Sequence, residues 1–151
     1  MRFEVDTKAT PEQVRRAFVD FSERRPQIWD RTLDPKTYEV HEQGPTWAVA
    51  RESSPGSPVW LVVRYDWSDP SVIRWTVVES SYGGDGDGSV RVSPGAGGGS
   101  RVHAEWESTN ARALQRPLLF VIHHSPVWRM VRRQWTDILD RYAENDQGPE
   151  A

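Results

Sequence analysis

The chain contains no cysteine. That absence excludes disulfides, thiolate catalysis, iron–sulfur clusters and Cys-type zinc sites. Long apolar runs are missing too. The longest wholly apolar stretches are five residues, Val59–Val63 and Leu118–Ile122. A membrane-spanning helix needs about 20, so no integral membrane association is expected. The opening Met1–Asp6 alternates in character and carries charge early. It does not read as a signal peptide, and a cytoplasmic location is expected. No charge sign dominates: 19 basic and 22 acidic residues leave a net −3. Nothing in that balance argues for a nucleic-acid partner. Lysine is scarce, 2 residues against 17 arginines. Leu, Ile, Val and Phe supply only 31 of 151 residues, but 8 Trp and the small net charge argue against disorder. The length suits one domain, read here as residues 1–151 with a polar tail from 145 to 151.

What is present falls into three stretches. Phe3 and Val5 alternate with charged neighbours, as in a short strand. Thr10-Pro11-Glu12-Gln13 then reads as a helix start: a capping Thr, Pro at the first position and Gln to complete a capping box. Val14, Ala17, Phe18 and Phe21 follow on one helical stripe. A second short helical piece is expected over 22–30, interrupted by Pro26.

From about Lys36 to Thr109 the period changes to two. Six apolar-alternating segments are separated by Gly-, Pro-, Ser- and Asp-rich breaks, the pattern of an antiparallel meander. Gly83–Gly88 and Pro94–Ser100 read as hairpin loops. Gly83–Gly88 lacks the closing Glu of a calcium loop. After Ser125-Pro126, the residues Val127, Trp128, Val131, Trp135, Ile138, Leu139 and Tyr142 fall on one helical stripe. Arg133, Asp137 and Arg141 are spaced for i, i+4 pairing elsewhere on it. A lead-in helical turn is expected near 117–124. One face of the meander is apolar, and this last helix is its expected cover.

The opening Phe3-Glu4-Val5, the Thr10–Val14 helix start, Tyr65–Pro70, the Gly99–Glu107 strand and the final amphipathic helix together resemble the START-related SRPBCC superfamily. That group includes polyketide cyclases, plant hormone receptors and lipid carriers. The resemblance covers residues 2 to about 144. It implies an α+β helix-grip fold: a curved antiparallel sheet of about seven strands wrapped on a long C-terminal helix, with two short helices after the first strand. It also implies a cavity between sheet and helix.

Strand parity assigns residues to that cavity. The apolar parity gives Trp47, Val49, Leu61, Val63, Tyr65, Trp75, Val77 and Trp106. Phe21 and Trp29 come from the first helices, Trp128 and Trp135 from the last. Many large flat side chains in a small domain suit an aromatic pocket, and equally suit a filled core. Arg51 and Glu79 share the same parity. A buried charge needs a partner or a ligand, unless it lies at a strand end and reaches water. Arg51 is therefore a candidate anchor for a carboxylate or enolate, with Tyr65 as hydrogen-bond donor.

His123 and His124 point about 100° apart on a helix, and no acidic residue lies within ten positions. No metal site is expected, though His124 remains a candidate acid or base. His103 takes the parity of the outer face. No metal, nucleotide or other cofactor is expected. The first functional reading is a binder of a hydrophobic small molecule, aromatic, lipid or polyketide-like. The second is a cyclase, aromatase or dehydratase in which Tyr65, Arg51 or His124 moves protons. The third is a protein-interaction domain with a closed cavity, using Arg129, Arg132 and Arg133. Sequence leaves the ligand and the oligomeric state open.

Overall fold

The computed structural model describes residues 2–81, 83, 85–109 and 127–146. Strand β1 spans Arg2–Thr7, helix α1 Pro11–Val19 and the short helix α2 Arg25–Ile28. Six strands follow: β2 Glu39–Gln43, β3 Trp47–Glu52, β4 Leu61–Asp66, β5 Val72–Ser80, β6 Asp85–Pro94 and β7 Ser100–Thr109. Helix α3, Val127–Asn145, is the last described element. The seven strands form one antiparallel sheet in the order β1-β7-β6-β5-β4-β3-β2. The first strand pairs with the last, so β1 and β2 are the edges.

Local chemistry accounts for the helices. The Thr10 hydroxyl accepts from the Gln13 N–H at 3.2 Å, and Gln13 Oε1 accepts from the Thr10 N–H at 2.9 Å. This capping box satisfies two helix-end donors, worth about 1 kcal/mol. Helix α2 is shorter than the expected 22–30. Pro26 sits in its first turn, where a missing N–H costs nothing, instead of interrupting it. Helix α3 carries Ile138 and Leu139 into the core with Trp135 packed against them. Its Asp137 and Arg141 reach across to Arg31 (3.0 Å) and Asp30 (2.6 Å), cross-element pairs in place of the expected i, i+4 pair between them. The first two residues of the expected polar tail are tied to the fold: Asn145 is helical, and Asp146 pairs with Arg16 at 2.6 Å. The expected turn near 117–124 lies outside the described residues.

The main core joins Val5, Val90, Val102 and Ala104 of the sheet to Val14, Ala17 and Phe18 of α1 and to Ile138 and Leu139 of α3. Beside it Phe21, Ala48 and Ala50 form a smaller cluster with Tyr38, Val40, Tyr65 and Trp67 against it. Arg15 ties α1 to the β4–β5 turn through the Trp67 and Pro70 carbonyls (2.8 and 3.1 Å). That turn is shaped by Asp66 and Asp69, whose side chains accept from Ser68 and Ser71.

Two sheet features differ from the sequence expectation. Gly86 and Gly88 are strand residues of β6, not a hairpin tip. A Cβ on Gly88 would lie 2.4 Å from Trp75 Cε2 and 2.6 Å from the Glu105 carbonyl. The glycines keep the ladder while making room for an indole. On β5 an extra residue, Val78, bulges between the pairs Val63–Val77 and Val62–Glu79. The bulge shifts parity, so Glu79 shares a face with Val62 and is exposed.

Candidate functional site

Register fixes which side chains face α1 and α3. Phe3 pairs with Ala104, Ala104 with Val90, and Val90 with Ile73. Continuing across, Trp106 pairs with Gly88, Gly88 with Trp75, Trp75 with Tyr65, and Tyr65 with Ala48. Paired residues of an antiparallel ladder point the same way. The inner face therefore carries Leu61, Val63, Tyr65, Trp75, Val77 and Trp106, as expected.

Trp47, Val49 and Arg51 are different. They alternate with Ala48, Ala50 and Glu52, and it is the latter set that shares the Tyr65 face. Ala48 and Ala50 are fully buried. The larger side chains drew the wrong parity: close packing against Phe21 requires small residues on the inner face of β3. On the outer face the Arg51 guanidinium stacks over Trp60 at 4.6 Å and Arg64 over Trp47 at 5.3 Å. The indole of Trp47 folds over Gly44. Arg51 thus stands apart from Tyr65, and the expected Arg51–Tyr65 anchor is not assembled. His103 lies on the outer face as expected, between Glu4 (3.4 Å) and Glu105 (3.1 Å).

The helical candidates divide as well. Phe21 packs on Tyr65 (5.0 Å) and stacks on Trp67 (5.6 Å, planes 5° apart). Trp29 and Trp135 belong to a filled cluster with Phe18, their centroids 5.7 Å apart, and the Trp29 indole donates to the Ala17 carbonyl at 3.0 Å. The Trp128 side chain, His123 and His124 lie outside the described residues.

A polar cluster that sequence reading missed sits on the inner face. Arg25, at the start of α2, is buried. Its Nε donates to Glu52 Oε1 at 3.2 Å, and its Nη1 donates to the Phe18 and Asp20 carbonyls at 2.9 and 3.3 Å. The Tyr65 hydroxyl donates to Glu52 Oε2 at 3.1 Å. The guanidinium also lies 4.1 Å from the Phe21 centroid and 5.1 Å from that of Tyr65. Burial works most strongly against the Arg25 charge, but Glu52 together with the Tyr65 and Tyr38 oxygens outweighs it and holds the guanidinium above its ordinary value. Burial, reinforced by Glu52, pushes the Tyr65 phenol far up, so it is a neutral O–H donor. Nearby Tyr38, bonded to the Ser22 carbonyl at 3.1 Å, is pushed up to about 12, chiefly by burial.

One sequence signal pointed to Arg25: Phe21, Arg25 and Trp29 are four apart, so Arg25 continues an apolar stripe. Glu52 had a fainter one, the parity of Ala48 and Ala50.

The arrangement is an aromatic and aliphatic surface ending in one neutral phenol, one carboxylate and one paired guanidinium. It can bury apolar area and offer a hydrogen bond, and it places a phenol and a carboxylate in contact for proton movement. Two open grooves are present. One, about 420 Å³, runs beside Arg2, Arg74, Asp87 and Glu105 and also touches Trp75, Gly88 and Trp106. The other, about 720 Å³, lies beside Lys8, Gly95, Arg101 and Asp140. Both carry charged walls, unlike the apolar cavity expected from sequence. Among the described residues no group of three or more His, Asp or Glu is placed to hold a metal ion, and no helix is long and apolar enough to cross a membrane.

Comparison with known proteins places this geometry. A comparison with curated proteins finds no match. Among solved structures, a Thermus thermophilus protein is 18% identical with a TM-score of 0.72, covering 98% of this chain and 99% of its own. The Zhui aromatase/cyclase of a Streptomyces species is 17% identical at TM-score 0.70, covering 94% and 92%. A START superfamily protein from Mycobacterium smegmatis is 12% identical at 0.69, covering 95% and 96%. At these identities the likeness shows the helix-grip fold. The sequence model of one family, described as polyketide cyclase / dehydrase and lipid transport, matches residues 1–144. By that match over nearly the whole length, the chain belongs to the polyketide cyclase / dehydrase and lipid transport family.

Proposed function

We propose that the chain binds a hydrophobic small molecule against the inner face of its sheet, along Leu61, Trp75 and Trp106 and beside Tyr65 and Glu52. The observation that carries this reading is the Arg25–Glu52–Tyr65 cluster set beside the apolar and aromatic side chains of this end of the inner face. Apolar burial supplies affinity at about 25 cal/mol per Å², and the cluster sets orientation. The family description, which joins cyclases with lipid transport, supports a ligand of this class.

The test is titration with the neutral fluorophore N-phenyl-1-naphthylamine. Saturable enhancement is expected for the wild type and for Val49→Trp on the outer face. Leu61→Trp, which fills the inner face, abolishes it. Equal binding by all three proteins, or none by the wild type, overturns the proposal.

The Tyr65–Glu52 contact of 3.1 Å favours one second reading, a cyclase, aromatase or dehydratase type of enzyme. There Tyr65 would donate its proton to a substrate oxygen as Glu52 releases its hold on it. The likeness to an aromatase/cyclase supports this reading. Tyr65→Phe would then abolish turnover of a poly-β-carbonyl substrate while leaving its binding intact. Unchanged turnover excludes Tyr65 as the acid.

A further inference from the structure

We infer that the inner-face cluster selects its ligand by hydrogen-bond polarity: it takes a neutral aromatic molecule bearing a hydroxyl, of phenol or naphthol type, and turns away the matching carboxylate. The inference rests on the binding site proposed above and specifies its ligand.

The cation at the cluster is Arg25, and it is committed. Its Nε serves Glu52, and its Nη1 serves two backbone carbonyls, Phe18 and Asp20. Two aromatic rings lie over it, and its side chain is only 6% exposed. An incoming anion finds Nε and Nη1 already engaged, the Tyr65 oxygen hydrogen-bonded beside them, and rings close to the guanidinium.

The anion is less enclosed. The Glu52 side chain keeps 16% exposure. A carboxylate offers about four acceptor positions. Among the described residues, Oε1 takes a hydrogen bond from Arg25 and Oε2 takes one from Tyr65. Tyr65 has spent its one proton on Glu52, and its oxygen faces the Arg25 guanidinium as an acceptor. The spare capacity at the cluster is therefore the remaining acceptor positions of Glu52. A ligand hydroxyl supplies the donor this arrangement lacks. A ligand carboxylate brings a second negative charge beside Glu52 and no donor. The Tyr65 hydroxyl fits this picture: bonded to Glu52 at 3.1 Å and held neutral at pH 7 by burial, it leaves Glu52 as the anion of the cluster.

The expectation from sequence was the opposite, an arginine anchoring a carboxylate. The structure moves that arginine, Arg51, to the outer face and puts a carboxylate where the anchor was sought.

The test uses three ligands with one ring system: 2-naphthol, 2-methoxynaphthalene and 2-naphthoate, titrated calorimetrically into the wild-type protein at pH 7. The naphthol is expected to bind about tenfold more tightly than its methyl ether, the worth of one charge-assisted hydrogen bond partly open to water. The naphthoate is expected to bind more weakly than the ether. Naphthol and ether of equal affinity, or a naphthoate that equals the naphthol, overturns the inference while the hydrophobic site stands. If neither neutral ligand binds, the site itself falls as well. Two variants sharpen the result. Tyr65→Phe leaves the Glu52 charge and frees Oε2, so the naphthol preference persists or grows. Glu52→Gln, checked for folding by thermal melt, narrows that preference to about threefold or less and raises naphthoate affinity. Loss of the preference in Tyr65→Phe would show that the phenol, not Glu52, reads the ligand, and would refute the assignment.

Discussion

Removing Arg25 is the perturbation whose size follows most directly from the structure. In Arg25→Met, Glu52 loses its cation in a site where the two side chains are 6% and 16% exposed. Breaking a buried ion pair from one side costs about 3–5 kcal/mol, because the remaining charge stays uncompensated. The Phe18 and Asp20 carbonyls also lose their donor, at about 1–3 kcal/mol for a buried group left unpaired. For a chain of this length 1 kcal/mol moves the melting temperature by roughly 2–4 °C. Arg25→Met should therefore melt at least roughly 6 °C below the wild type. The double variant Arg25→Met/Glu52→Gln separates the two causes. It removes the stranded charge but not the carbonyl loss, which is common to both backgrounds and cancels in the cycle. Urea unfolding of the four proteins should give a coupling of at least about 2 kcal/mol, the double variant being more stable than Arg25→Met. A loss under about 1 kcal/mol in Arg25→Met, or strict additivity in the cycle, would refute the view that a buried, mutually dependent pair holds this end of the sheet to α2.

Other outcomes follow from the same geometry. Gly88→Ala places a methyl 2.4–2.6 Å from the Trp75 ring and the Glu105 carbonyl. It should cost about 1–3 kcal/mol and alter the near-ultraviolet circular dichroism, whereas an unchanged melt would mean Trp75 does not lie there. Arg51→Ala should leave the affinity for 2-naphthol unchanged, because Arg51 is on the outer face over Trp60. Its stability cost should stay near the roughly 0.5–2 kcal/mol of a partly buried cation–π contact. Stability should also fall on alkaline titration. Tyr38 and Tyr65 both ionise above the ordinary phenol value when folded, so the unfolded chain loses those protons first. Their contribution is complete below about pH 10 and declines from there upward, through about 12 for Tyr38. Tyrosinate absorbance should therefore rise together with unfolding, and full ionisation of a still-folded protein would contradict the burial of Tyr65.

Much of this architecture was legible because strong local signals agreed with the global fold. The Thr10–Gln13 capping box, the period-two stretches and the α3 stripe each express one dominant physical preference. The site was less legible, and for reasons that can be named. On β3 both parities are plausible, since Trp47 and Val49 look apolar while Ala48 and Ala50 look neutral. The choice is made by Phe21, far away in sequence, which leaves room only for alanine. The Val78 bulge flips Glu79 with no sequence mark beyond a Val-Val pair. Gly86 and Gly88 read as turn residues because the need for glycine comes from an indole on the neighbouring strand. Arg25 and Glu52 are 27 residues apart and become a pair only through α2 docking on the sheet.

The inner-face site is most directly tested by nuclear magnetic resonance titration of the labelled protein with 2-naphthol, following the indole N–H signals. Trp75 and Trp106 project from the inner face, while Trp47 and Trp60 stack with arginines on the other side. Saturable shifts confined to Trp75, Trp106 and their neighbours are expected, with Trp47 and Trp60 unmoved. Shifts centred on Trp47 and Trp60, with Trp75 and Trp106 silent, would contradict the assignment of the inner face as the binding site.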